Sequence, residues 1–66
     1  MKIVVNGKEM EIENSISIQT LLEQLKISEK VMAIAVNMNI VKKDDWSNYK
    51  IKENDKVEAL QFVGGG

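Results

Sequence analysis

The residues with the most scope for chemistry are the last three. The chain ends QFVGGG, placing Gly64, Gly65 and Gly66 directly after an apolar run. A glycine carries no reactive side chain, so the one reactive group there is the α-carboxylate of Gly66. Nothing branches at its Cα, and the carboxylate is unhindered. A glycine thread can also pass a channel too narrow for any residue with a Cβ. Three extended residues reach roughly 10 Å beyond Val63. A carboxylate is a poor acyl donor until a partner activates it, for example by transfer of AMP from ATP. The ending therefore suits a chain whose own terminus is a substrate. A frayed end or a linker remnant is the competing reading of the same glycines.

Other chemistry is largely excluded by composition. The chain has no His and no Cys, which removes the usual general base, the commonest metal ligand and all thiolate reactions. Asp44-Asp45, Glu53, Asp55 and Glu58 are the remaining carboxylates that could be grouped. None has the spacing of a metal loop, and solvated or capping roles suit them better, with docking to a basic surface as a further role. Nine basic residues offset ten acidic ones. No basic field is present to hold a phosphate backbone, so nucleic acid is not an expected partner. No apolar run is long enough for a membrane span. The N-terminal apolar stretch is only three residues long before Asn6-Gly7, so no secretory signal is read there. A soluble cytoplasmic protein is the expectation.

A terminal substrate needs a body to present it. Ordering three flexible residues costs on the order of 3–6 kcal/mol, and docking of a folded domain must offset that. At 66 residues the chain makes one domain, near the lower limit for folding without staples. The expected division is a folded unit over 1–63 and a flexible glycine tail over 64–66.

The elements of that unit are readable from periodicity. Asn6-Gly7 separates two strand-like runs and supplies the positive-φ positions of a tight hairpin. Ile3 and Val5 form the inward pair of the first run. In the second, Met10 and Ile12 face one way and Glu9, Glu11 and Glu13 the other; the glutamates read as the solvated face of an outer strand. Ile18, Leu21, Leu22 and Leu25 make one stripe of a helix over roughly 18–26. Ser17 is its expected N-cap, with Asn14 and Ser15 as weaker choices, and Ile16 and Leu21 suit a hydrophobic staple.

Met32, Ile34 and Val36 alternate with Ala33 and Ala35, which predicts a strand buried on the Met–Ile–Val face. A short return strand follows at Ile40-Val41. KKDDWSNY predicts a helical turn, with Trp46 covering the edge of the core. Asn54-Asp55 is a turn signal, and the last strand is expected over 57–63. Met10, Met32 and Met38 are too scattered for a methionine groove and are expected to fill gaps in the core. The order predicts an α+β two-layer domain, a mixed sheet packed on one main amphipathic helix, with the first and last strands as central neighbours. If Val57 and Ala59 face the helix, then Glu58, Leu60 and Phe62 face outward. Val4, Ala33 and Ala35 share that open face. Leu60, Phe62 and Val63 thus become the expected docking surface beside the tail, although Phe62 could instead complete the core.

These residues together resemble the ThiS family, the small sulfur carriers of thiamin biosynthesis within the β-grasp (ubiquitin-like) superfamily. The similarity runs through the NGK turn, SIQTLLEQL, AIAVNMNIV, KKDDW and the ending ENDKVEALQFVGGG. It implies that the chain is a protein co-substrate and not itself an enzyme. An E1-like, ThiF-like adenylyltransferase would use Mg-ATP to form an acyl adenylate at Gly66. A sulfur donor such as a cysteine desulfurase persulfide would convert this to a thiocarboxylate. A ThiG-like thiazole synthase would then receive the sulfur. By the same resemblance Gly66 is the carrier, Gly65 its partner in the Gly-Gly motif, and Gly64 an extension of the thread. No permanently bound cofactor is implied. The related carriers of molybdopterin synthesis, MoaD-like, share fold and ending but approach the tail through a proline, which this chain lacks. A ubiquitin-like protein modifier would use the same activated terminus on an amine acceptor. A β-grasp binding module with an inert tail would use no terminal chemistry at all.

Overall fold

The computed structural model of the protein describes residues 1–61. Phe62, Val63 and the three glycines lie outside the described residues, as does the boundary expected at residue 63. Strands β1 (Lys2–Val5) and β2 (Lys8–Glu11) precede helix α1 (Ile18–Gln24). Strands β3 (Val31–Val36) and β4 (Asn39–Val41), a 3-10 turn (Lys43–Asp45) and strand β5 (Lys56–Gln61) follow. The sheet order is β2-β1-β5-β3-β4. β1 and β5 pair in parallel, and every other neighbouring pair is antiparallel. The mixed sheet, the single α-helix among the described residues and the adjacency of first and last strands agree with the sequence reading.

Turn chemistry sets the strand connections. Asn6 and Gly7 have φ of 49° and 84°, so the first hairpin turns through two left-handed residues, the geometry that matches strand twist. The second hairpin turns through Asn37 and Met38, at φ 51° and 71°. The return strand accordingly begins at Asn39, one residue before the expected Ile40. Asn37 also ties the turn to the start of β5. Its Nδ2 donates to Asp55 Oδ1 at 2.9 Å, and its Oδ1 accepts from the Lys56 amide at 3.0 Å. Asp55 Oδ2 accepts from the Lys52 amide at 2.8 Å. The buried Asp55 is thereby a fastener of backbone turns, as buried polar groups with full hydrogen bonding commonly are.

Helix α1 is capped as expected at its start: Ser17 Oγ accepts from the Thr20 amide at 3.1 Å. The amides of Ile18 and Gln19 donate to the carbonyls of Tyr49 and Trp46, so the loop after β4 closes the helix N-terminus. The helix ends at Gln24, two residues short of the expected end. Lys26 turns left-handed at φ 61°, its amide donates to Glu23, and the Ile27 amide donates to Leu22. Those two bonds make a Schellman cap, and a left-handed residue cannot continue the helix.

The core lies between α1 and one face of the sheet. Ile18, Leu21 and Leu22 meet Ile3, Val5, Ile34, Val36 and Val57 there. Trp46 departs from expectation. It is fully buried within this core, not laid over its edge. Its indole N–H donates to the Val41 carbonyl at 2.9 Å, which removes the penalty of burying that polar group.

Strand β3 departs from strict alternation. Val31 pairs with Gln61 and Ala33 with Leu60, so Met32 is an extra residue opposite a single step of β5. Such a bulge reverses the side-chain phase. Val31 and Ile34 both point to the core, while Met32 is 51% exposed. The expectation that Met32 joins Ile34 and Val36 inside is therefore corrected. Met38 is corrected too: it occupies the tip of the second hairpin and is 88% exposed. Met10 is half-buried and packs against the core as expected.

Candidate functional site

The site is built on the face of the sheet that the helix leaves open. β5 is the central strand, with β1 on one side and β3 on the other. Val57 is buried and Ala59 packs against the core, so the alternate residues Glu58 and Leu60 point outward. Cross-strand partners lie on the same face of a sheet. Ala33 pairs with Leu60, Ala35 with Glu58, and Ala35 on its other side with Ile40. The small alanines leave a hollow between the larger residues. It is a shallow groove lined by Asn6, Ala33, Ala35, Ile40, Glu58 and Leu60. Leu60 is 60% exposed and Ile40 73%. Two large aliphatic side chains on either side of a small-residue floor make an apolar patch of the type that marks interfaces.

The outward direction of Leu60, and the open face shared with Val4, Ala33 and Ala35, agree with the sequence reading. Phe62 and Val63, expected beside Leu60, lie outside the described residues, as do Gly64, Gly65 and Gly66. Ile40 is the member of this face that sequence reasoning missed. Its neighbour Val41 is buried, and alternation along β4 would have turned Ile40 outward once Val41 was placed inside.

The acidic residues do not converge. Asp44 and Asp45 are exposed on the 3-10 turn. Glu53 Oε2 accepts from the Lys2 amide at 2.9 Å, and Asp55 is occupied with backbone turns. Among the described residues no group of three or more potential ligands could hold a metal ion. Glu9 and Glu11 line the exposed side of β2, the outer strand, as predicted, while Glu13 is exposed in the loop that follows it. Lys2 Nζ lies 3.7 Å from Glu9, and the N-terminal ammonium 3.8 Å from Glu11. Both pairs involve exposed glutamates, and such pairs add little to stability. Among the described residues no helix is long and apolar enough to cross a membrane.

Comparison with known proteins identifies the family. The ThiS family model matches residues 3–66. A sulfur carrier protein ThiS from Escherichia coli is 29% identical over 66 residues, covering the full length of both chains. The chain also matches a thiazole synthase from Paramagnetospirillum magneticum at 33% identity, where it spans only 20% of that protein. The crystal structure of a thiamine biosynthesis protein (ThiS) from Geobacter metallireducens superposes with a TM-score of 0.83 at 31% identity, covering both chains completely. The chain belongs to the ThiS family, with the β-grasp architecture that its sheet and helix display.

Proposed function

We propose that this protein is the sulfur carrier for thiazole formation in thiamin biosynthesis and that Gly66 carries the sulfur. The observation that carries this reading is the family match through residue 66, which includes the glycine ending. The open apolar face around Leu60 supplies the docking surface such a carrier requires.

The chemistry divides between the chain and its partners. The Gly66 carboxylate attacks the α-phosphorus of ATP on a ThiF-like adenylyltransferase, releasing pyrophosphate and leaving an acyl adenylate. A persulfide sulfur, supplied by a cysteine desulfurase or an equivalent donor, attacks the acyl carbon and expels AMP. A thiol then cleaves the resulting acyl disulfide, leaving the terminal thiocarboxylate. The ATP and magnesium belong to the activating enzyme. A ThiG-like thiazole synthase is the proposed acceptor. Support for that partner comes from the thiazole synthase whose own chain contains a segment similar to this whole protein. Fusing carrier to acceptor raises their effective concentration, which is useful only if the two work together.

The test is the intact mass of the chain after incubation with ATP, cysteine, a cysteine desulfurase, a reducing thiol and the activating enzyme. The expected result is a gain equal to one oxygen replaced by sulfur, located at Gly66 and absent from a chain lacking that residue. An unchanged mass, with a competent carrier converted in parallel, would overturn the reading for that enzyme.

A further inference from the structure

β5 runs beyond the strand that supports it. The parallel register with β1 ends at Val5 opposite Val57, because the chain then leaves through the Asn6-Gly7 turn. On the other side, β3 bulges at Met32, opposite the step from Leu60 to Gln61. Residues 59–61 therefore sit between a terminated neighbour and an irregular one. They are also the segment from which residues 62–66 continue.

Asn6 bridges this gap. Its amide donates to the Val57 carbonyl at 2.9 Å, continuing the parallel ladder. In a regular parallel ladder the next bond would run from the Ala59 amide to the Asn6 backbone carbonyl. The left-handed turn at Asn6 takes that carbonyl out of line. The Ala59 amide instead donates to Asn6 Oδ1 at 2.8 Å. The side-chain carbonyl thus stands in for the backbone one and extends the β1–β5 ladder by one bond past the point where β1 ends. The turn alone does not require this residue, since glycine or aspartate serves a two-residue hairpin equally well.

We propose that Asn6 is a positioning residue for the carrier reaction: its side chain clamps β5 at Ala59 and so fixes the segment from which the terminal glycines are presented. This inference rests on the proposed carrier function. Without the clamp, one or more residues of β5 must be ordered when the protein docks. Ordering one residue corresponds to about a 5- to 30-fold change in an equilibrium.

The substitutions Asn6→Gly and Asn6→Asp separate the clamp from the turn. Both residues accept a positive φ, but only aspartate retains an oxygen acceptor. Hydrogen exchange of the Ala59 amide is measured in each free protein, and kcat and KM are measured for AMP transfer by the activating enzyme. The expected result is faster exchange at Ala59 in the glycine variant and a kcat/KM lowered about 5- to 30-fold, with far-UV circular dichroism unchanged. The aspartate variant should restore both. Equal exchange in the glycine variant and the wild-type chain would overturn the clamp. Faster exchange with unchanged kcat/KM would overturn its role in presentation. If the wild-type chain is not adenylated at all, the carrier reading fails, and with it the positioning role. The exchange data would then still decide whether the Asn6–Ala59 bond holds β5.

Discussion

The inner face of the sheet carries Ile3, Val5, Ile34, Val36 and Val57, all buried in the one core that also holds the α1 stripe and Trp46. The outer face carries Val4, Ala33, Ala35, Ile40, Glu58 and Leu60, with the two largest aliphatics among the most exposed hydrophobic residues described. Both faces come from the same strands and alternate along them. What separates them is the helix. α1 covers one face and leaves the other open, so a similar apolar residue is buried in the core on one side and exposed on the other. In so small a domain the inner face must supply nearly all the stability. The outer face is the one proposed for docking.

That division is open to test by substitution. Ile34→Ala removes a fully buried side chain from the middle of the core and should cost about 2–5 kcal/mol. Much of the population should unfold, as read by urea denaturation followed by circular dichroism. A loss below about 1 kcal/mol would mean that the inner face is not the stabilising one. Leu60→Ala probes the other side. Stability should move by less than about 1 kcal/mol, whereas KM for the activating enzyme should rise about 5- to 30-fold, the effect of losing about 1–2 kcal/mol at an interface anchor. An unfolded Leu60→Ala variant would erase the distinction between the faces. Lys26→Gly should have the smallest effect and the opposite sign. Glycine relieves the left-handed backbone at the helix end and should raise stability by about 1 kcal/mol, seen as a higher Tm. Conversion of the terminus should be unchanged, because α1 lies on the far side of the sheet.

The local features were legible because each is decided within a few residues. Asn6-Gly7 specifies a hairpin through backbone conformation alone. Ser17 caps a helix that begins at the next residue, and the Glu9–Glu11 alternation sets the phase of β2. The outward turn of Leu60 followed from Val57 and Ala59 by the same two-residue period. Trp46 was harder, since a single aromatic after a turn has no periodicity to place it. Its burial depends on the Val41 carbonyl being within reach of the indole. Met32 was misplaced because a bulge is a relation between two strands, and the extra residue is invisible until β3 is laid against β5.

The candidate site shows the same boundary. The proposed carrier group, the carboxylate of Gly66, is specified by residue types at one end of the chain and needs no contact to be recognised. The proposed docking face required the sheet, because Ile40, Ala35 and Glu58 come from three different strands and meet only through cross-strand pairing. Asn6 shows most plainly where sequence stops. By itself the sequence determined that Asn6 starts a turn, because positive φ is a property of the residue and its neighbour. Only the tertiary structure decided that its side chain reaches Ala59, a residue 53 positions along the chain. That bond exists because a parallel strand was brought alongside and then outlasted its partner, a circumstance created by long-range packing and encoded in no local pattern.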